Sequence, residues 1–138
     1  MPAKKSEGAN TEAKSSNGKK KTILIVEDSP DMQEIYKNYL SKDYSIIMTG
    51  AAKEGMENLK KHAIDLLILD IILPEVQGDT FFVQLRQMAQ FKNLKVLVIT
   101  VLGDLTGQFK NLNSNVSCMA KPFEKEALLA KIKMVIGR

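Results

Sequence analysis

The sequence predicts a three-layer α/β domain, in which a doubly wound, five-stranded parallel sheet lies between helices. Short apolar runs alternate with segments whose apolar residues recur at helical spacing, and this is the order of parallel strands joined by right-handed crossovers. The run Leu66–Leu69 is the clearest strand, because four apolar residues bounded by turn formers suit a strand that is buried on both faces.

Local signals place the elements in order. Residues 22–26 are β-rich and almost continuously apolar, which predicts the first strand. Ser29 is a good N-cap and Pro30 suits the first helical position, so a helix should follow. The remaining strands are predicted over 45–48, 64–69, 95–99 and 116–120, and further helices over 51–61, 79–90 and 124–136.

Each helix is expected to bury the apolar residues that share one face. These residues are Met32, Ile35, Tyr36, Tyr39 and Leu40; Ala52, Met56 and Leu59; Phe82, Leu85, Met88 and Ala89; and Leu128, Leu129, Ile132 with Val135 or Ile136. Gly55 should weaken its helix by about 1 kcal/mol relative to Ala. The segment from Leu102 to Asn115 contains two glycines and three asparagines, so a helix there should be short or irregular.

The basic charge belongs to the N-terminus. Six lysines and two glutamates before Thr22 account for the whole net charge of +4, so the remainder is neutral and gives no reason to expect a nucleic-acid surface. Residues 1–20 have no large apolar side chain after Met1, which predicts a disordered basic tail. Residues 21–138 are then one domain, since 138 residues at 44% hydrophobic content can build one core.

The only cysteine, Cys118, excludes an intramolecular disulfide and fits a reducing compartment. No apolar signal region is present at the N-terminus, and no run approaches the roughly 20 apolar residues of a membrane span. We therefore expect a cytoplasmic protein with no membrane contact.

Polar side chains follow four of the predicted strands. They are Glu27 and Asp28 after the first strand, Asp70 after the third, Thr100 after the fourth and Lys121 after the fifth. Because parallel strands end at the same edge of a sheet, these side chains are expected to converge there.

Convergence of the three acids predicts a metal. Carboxylates about 4 Å apart repel by about 4 kcal/mol per pair at an effective dielectric of about 20, and Lys121 alone cannot compensate for three of them. Mg²⁺ fits, because it takes one or two carboxylates and keeps waters that a phosphate oxygen can replace. Asp70, on the central strand, is then a candidate nucleophile toward phosphorus, with Thr100 and Lys121 contacting the phosphoryl oxygens.

The chain resembles the receiver domain of bacterial two-component response regulators, of the single-domain, chemotaxis-regulator-like type. The resemblance rests on VED followed by SP at 26–30, LLILDIILPEVQG at 66–78, VLVIT at 96–100 and AKPF at 120–123. It covers residues 21–138 and is specific, since Asp70, Pro74 and Gly78 keep the spacing of the family's motif.

The resemblance implies the flavodoxin-like strand order 2-1-3-4-5 and a phosphoacceptor role for Asp70. The phosphoryl donor would be a histidine kinase or a phosphotransfer protein. Asp28 and Asp70 would bind Mg²⁺ together with the backbone carbonyl of Ile72, while Glu27 would act through water. Thr100 would be the switch hydroxyl, and the Lys121–Pro122 peptide bond is expected to be cis.

Three positions depart from the family pattern. Glu27 stands where Asp is commoner, Val101 where Ala or Gly is typical, and Cys118 where the family usually has an aromatic ring that turns inward on activation. These changes leave open a second interpretation, a degenerate receiver that binds partners without phosphorylation.

Two other classes are disfavoured. An aspartyl phosphohydrolase usually needs a second acid two residues after the nucleophile, where this chain has Ile72. A dinucleotide-binding domain lacks its Gly-rich loop after Val26. We therefore expect a signalling domain that modifies itself and is not otherwise an enzyme.

The output route is not specified by any motif. No output domain follows the receiver segment up to Arg138, so we expect either contact with a separate, unknown output protein or a chain that is a fragment of a longer one. A homodimer through the fourth helix and last strand is a further expectation from the resemblance.

We predict a long-lived phosphoryl group on Asp70. Ile72 and Leu102 lie two positions beyond Asp70 and Thr100, which in the family flank the path of the hydrolytic water, and neither side chain can orient water by hydrogen bonding. The Ile72→Asn/Leu102→Glu variant should lose the phosphoryl group faster than the wild type. Equal dephosphorylation rates would contradict the prediction.

Overall fold

The computed structural model of the chain describes residues 20–70, 78–101 and 115–137, without the side chains at 78–80 and 82. The predicted tail over 1–20 lies outside the described residues except for Lys20. The same holds for Ile72, Leu102 and, apart from Asn115, the segment predicted to be irregular.

Five parallel strands form one sheet in the order β2-β1-β3-β4-β5, which confirms the predicted fold class. The strands are β1 (Thr22–Val26), β2 (Ser45–Thr49), β3 (Leu66–Leu69), β4 (Val96–Thr100) and β5 (Val116–Ala120). The described helices are α1 (Pro30–Leu40), α2 (Ala52–Lys61), α3 (Gly78–Arg86) and a C-terminal helix (Lys125–Ile136), with a 3₁₀ turn at Ala89–Phe91.

Strand β3 is shorter than the strand predicted over 64–69, because Asp65 bonds to β1 through its side chain as well as its backbone. The Asp65 carboxylate accepts a hydrogen bond from the Thr22 N–H at 2.8 Å, and the Asp65 N–H donates to the Thr22 carbonyl at 2.9 Å. Register then places Val26 opposite Leu69 and Leu69 opposite Val98. Strands β1, β3 and β4 therefore end close together.

The core has two halves, one on each face of the sheet, because alternate strand residues point to opposite faces. On one face Val26, Leu69 and Val98 pack with residues of α2 and α3. On the other face Ile25 and Ile68 pack with residues of α1 and the C-terminal helix. The ends of the three central strands, β1, β3 and β4, are thus fixed from both sides.

Helix α1 begins as predicted. The Ser29 hydroxyl accepts a hydrogen bond from the Met32 N–H at 3.3 Å, and Pro30 opens the helix. Tyr36 and Leu40 are buried, and Met32, Ile35 and Tyr39 are half-buried. Helix α1 therefore packs against one face of the sheet beside strand β1.

The prediction for the third helix was wrong at its C-terminal end. Helix α3 stops at Arg86, and Ala89 lies exposed in the 3₁₀ turn, where helical spacing no longer applies. The Arg86 guanidinium donates to the Phe91 carbonyl at 2.8 Å, which ties the helix end to the turn. Phe81, only 1% exposed, fills the core instead.

Gly55 has a packing role that its helix propensity does not reveal. It is buried where α2 crosses β1, and a Cβ at this position would lie 2.8 Å from Val26 Cγ2. Valine is stiff at χ1 and buried, so it cannot easily move away. The close approach of α2 to the sheet therefore depends on glycine.

We predict that Gly55→Ala lowers the free energy of unfolding by about 1 kcal/mol, because overpacking costs about 1–3 kcal/mol and outweighs the helix propensity of Ala. Urea unfolding measures the change. Glu57→Ala, on the exposed side of the same helix, is the control and should change stability by less than about 0.5 kcal/mol. A stabilised Gly55→Ala protein would show that propensity dominates.

Candidate functional site

Backbone hydrogen bonds join the strand ends at the carboxyl edge of the sheet. The Glu27 N–H donates to the Thr49 carbonyl at 3.0 Å, and the Asp70 N–H donates to the Val26 carbonyl at 3.4 Å. The Lys121 N–H donates to the Thr100 carbonyl at 3.1 Å. The polar residues predicted from the sequence are therefore held on neighbouring strand ends.

A single ammonium group bridges two of the predicted acids. Lys121 Nζ lies 2.8 Å from Glu27 Oε1 and 2.7 Å from Asp70 Oδ2. The side chains are nearly buried, at 11% exposure for Lys121, 2% for Glu27 and 9% for Asp70. Burial by itself would lower the pKa of Lys121, but hydrogen bonds to Asp70 and Glu27 and their charges raise this pKa overall. Lys121 is therefore a cation of the site at neutral pH.

Both carboxylate oxygens of Glu27 are engaged. Oε1 accepts from Lys121, and Oε2 accepts from the Ser29 N–H at 3.2 Å. The Gln33 side-chain amide donates to the Glu27 carbonyl at 2.6 Å, which fixes the backbone as well. Glu27 thus holds Lys121 in place. Because both of its carboxylate oxygens already accept hydrogen bonds, Glu27 is poorly suited to direct contact with a metal.

The other two predicted side chains, those of Asp28 and Thr100, differ in their exposure to solvent. Asp28 is exposed, and Thr100 is fully buried at the end of β4. Within 20–70, 78–101 and 115–137, no three Asp, Glu, His or Cys side chains form a group able to hold a metal. The structure therefore brings Glu27, Asp70 and Lys121 together and does not bring Asp28 into the same cluster.

The donor chemistry nevertheless fits Mg²⁺. Glu27, Asp28 and Asp70 with Lys121 carry a formal charge of −2, which one divalent cation neutralises. Asp28 and Asp70 offer the hard oxygen ligands that Mg²⁺ requires, and two carboxylates are enough because Mg²⁺ keeps several waters. The third predicted ligand, the Ile72 carbonyl, lies outside the described residues.

Aromatic residues behind the site were not singled out by sequence reasoning. Tyr36 is 1% exposed, and burial followed by the charges of Glu27 and Asp70 raises the pKa of its phenol. The Phe123 ring stacks on Tyr36 with centroids 5.8 Å apart and meets Tyr39 edge-on at 6.4 Å. Helical spacing placed both tyrosines on the buried face, but nothing local in the sequence connects them to Phe123.

Fold and site together define a class of protein. Glu27 follows β1 and Asp70 follows β3. The order in which successive strands are added to the parallel sheet reverses between these two neighbouring strands. Open α/β sheets bind their ligands at such a switch point. The domain is therefore a flavodoxin-like α/β protein with a charged site at its topological switch point.

The family model of the response regulator receiver domain matches residues 23–133, and the chain belongs to this family. The Lys121–Pro122 peptide bond is cis, as the resemblance implied. Membership accounts for the strand order and makes the domain a signalling module of response regulators and histidine kinases.

Known relatives agree with this assignment. The chain is 34% identical over 114 residues to hybrid signal transduction histidine kinase D of Dictyostelium discoideum, covering 82% of the chain and 7% of that protein. It is 28% identical over 120 residues to response regulator Rre1 of Synechocystis, covering 85% and 52%. The chain thus spans about half of a response regulator and a small part of a hybrid kinase.

Solved structures show the same fold. A CheY-like response regulator receiver domain protein from Methanospirillum hungatei is 25% identical with a TM-score of 0.75, over 86% of this chain and 95% of that one. Chemotaxis protein CheY4 of Vibrio cholerae is 22% identical with a TM-score of 0.77, over 85% and 99%.

The described helices are also informative about membranes. In the part of the chain that the structure describes, every helix is too short or too polar to cross a bilayer.

We predict that Lys121→Met lowers the free energy of unfolding by about 3 kcal/mol, because it leaves two buried carboxylates without their cation. Since the pKa of Lys121 is raised in the folded state, its contribution is complete below the ordinary value of 10.5 and disappears as the pH rises through the higher folded value. Urea unfolding at neutral and alkaline pH measures both effects.

The control is Lys125→Met, which removes an exposed lysine four residues further on and should change stability by less than about 0.5 kcal/mol. An equal effect of the two substitutions at neutral pH would rule out a structural role for the bridge.

Proposed function

We propose that the domain takes a phosphoryl group onto Asp70 from a histidine kinase or a phosphotransfer protein and signals by contact with another protein. The observation that carries this proposal is the placement of Asp70: a nearly buried carboxylate at the end of the central strand β3, 2.7 Å from the Lys121 ammonium. Family membership supplies the class of donor.

Asp70 is the best of the three acids as a nucleophile. Glu27 has both oxygens occupied by Lys121 and the Ser29 N–H, and Asp28 is exposed to water. Asp70 lies between the ends of β1 and β4, so groups from both neighbours can reach a phosphoryl group that is attached to it. This position explains why one acid rather than another accepts the group.

The transfer is a single displacement at phosphorus. A carboxylate oxygen of Asp70 forms a P–O bond while the P–N bond to the donor histidine breaks, and the electron pair leaves with the imidazole nitrogen. Lys121 pairs with one oxygen of the transferred group and Thr100 donates its hydroxyl to another. Asp28, Asp70 and the Ile72 carbonyl would hold Mg²⁺, which would supply positive charge to neutralise the phosphoryl oxygens.

We also propose a cellular location, domain bounds and a class of partner for the domain. We place it in the cytoplasm, where Cys118 stays reduced, with residues 1–20 as a basic segment outside the domain and 21–138 as the receiver. Its output partner is a protein, and a homodimer is a second form of output. No nucleic-acid or membrane contact is proposed for this domain.

Two observations favour a second function. Lys121 supplies a nearly buried cation to both Glu27 and Asp70, and Cys118 on β5 carries no aromatic ring. Both features suit a degenerate receiver that binds a partner whatever the state of Asp70. A pull-down that compares wild type with Asp70→Ala separates the two, because unchanged partner binding supports the second function.

The first function predicts that Mg²⁺ and a phosphorylated histidine kinase label the protein on Asp70. Intact mass spectrometry should show one added phosphoryl group that hydroxylamine removes, since an acyl phosphate is sensitive to it. Asp70→Asn should abolish the label, because an amide cannot act as the nucleophile, and chelation of Mg²⁺ should slow labelling by at least about tenfold.

The matched control is Asp43→Asn, which changes an exposed aspartate in the turn after α1 and should leave labelling unchanged. A protein that stays unlabelled with several kinases, or a label that persists in Asp70→Asn, would refute the proposed phosphoacceptor.

A further inference from the structure

Phe123 lies only two residues beyond Lys121 and inside an aromatic group on α1. We call Tyr36, Tyr39 and Phe123 the aromatic clamp. Phe123 stacks on Tyr36 at an interplanar angle of 28° and meets Tyr39 at 70°, so its ring is held on two sides. The clamp packs within the core half that faces α1 and the C-terminal helix.

The segment that joins Lys121 to the clamp is short and fixed at both ends. At its start, the Lys121 N–H donates to the Thr100 carbonyl on β4. At its end, Glu124 is the N-cap residue of the C-terminal helix, and its carbonyl accepts from the Leu128 N–H at 3.0 Å. Only Pro122 separates Lys121 from Phe123, so we expect a displacement of Lys121 between these anchors to reach the Phe123 ring.

A change at Asp70 acts directly on Lys121. The ammonium lies 2.7 Å from Asp70 Oδ2, and phosphorylation moves the negative charge from that carboxylate to phosphoryl oxygens, two bonds beyond the aspartyl oxygen. The ammonium is expected to follow the charge, since charge-assisted hydrogen bonds are the strong contacts of such a site. Glu27, held at Ser29 and Gln33 on the N-terminal side of α1, keeps the other half of the bridge in place.

Tyr36 also interacts electrostatically with the acids. It is nearly completely buried, and burial, followed by the charges of Glu27 and Asp70, raises the pKa of its phenol. On β5, by contrast, the half-buried Cys118 offers no ring that could report a change at the site. The contacts between aromatic rings among the described residues thus lie on the face of the sheet that α1 covers.

We infer that Phe123 is a positioning residue for Lys121, and that the aromatic clamp couples the state of Asp70 to helix α1. The inference rests on the proposed function, because the coupling is driven by phosphorylation of Asp70. It assigns the transmission of the signal to Tyr36, Tyr39 and Phe123, which replace an aromatic residue on β5 in this role.

A tryptophan reporter tests the coupling, since the chain contains no tryptophan. Phe123→Trp is treated with Mg²⁺ and acetyl phosphate, from which acetate leaves as Asp70 takes the phosphoryl group. The emission should change at the rate at which the added mass appears, and Asp70→Asn/Phe123→Trp should show no change. Tyr39→Trp is a second reporter on the other side of the ring contact, in case the first variant does not fold.

The control reporter is Phe91→Trp, at a 9% exposed site in the other half of the core, whose emission should stay constant. Labelled protein with unchanged emission at both 123 and 39 overturns the coupling but leaves the phosphoacceptor role intact. An equal change at 91 also overturns it, because the response is then global. Absence of label in the wild type as well as in the reporters refutes the phosphoacceptor role and the coupling with it, whereas labelled wild type with both reporters unlabelled but folded overturns the coupling alone.

The rate of phosphoryl uptake tests whether Phe123 positions Lys121. Phe123→Ala should slow phosphoryl uptake from acetyl phosphate by about tenfold, because a displaced Lys121 no longer meets the phosphoryl oxygen. Phe123→Tyr should restore the rate, since it keeps the ring. Phe91→Ala removes a ring of the same size elsewhere and should leave the rate per folded molecule unchanged; equal slowing by the two Ala variants would reduce Phe123 to a packing residue.

Discussion

The structure depends on one ammonium group between two buried carboxylates. Glu27 and Asp70 follow neighbouring strands, and burying both without a counter-charge would be costly because the interior screens charge weakly. Lys121 comes from a third strand end, 94 residues away from Glu27 in the sequence. The bridge therefore fixes the relative positions of β1, β3 and β5 at the edge where the chemistry is proposed to occur.

The packing of the sheet makes this bridge possible. The central strands are apolar on both faces, so each has only its end available for polar residues, and parallel pairing collects those ends at one edge. Gly55 allows α2 to approach β1 closely, and the capped α1 brings Ser29 and Gln33 to Glu27. Elements remote from Asp70 in the chain thus hold the residues around it.

The same bridge links the two candidate functions. In the resting protein the bridge joins the ends of β1, β3 and β5, which a phosphorylation-independent binding module also requires. As a partner of Asp70, Lys121 is also the residue through which we propose that a phosphoryl group acts on Phe123 and α1. Which use the protein makes of the bridge depends on whether Asp70 is modified, and not on any difference in the resting arrangement of these three residues.

The sequence by itself determined the strand and helix order, the Ser29 cap and the four strand ends that carry polar residues, because periodicity and capping are local properties. It also pointed to Asp70 as the central acid. Only the tertiary structure decided that Lys121 engages both Glu27 and Asp70 while Asp28 stays exposed, and that Phe81 rather than Ala89 fills the core. The contact of Phe123 with Tyr36 was also decided by the tertiary structure, since distances between residues far apart in sequence are set by packing rather than by local pattern.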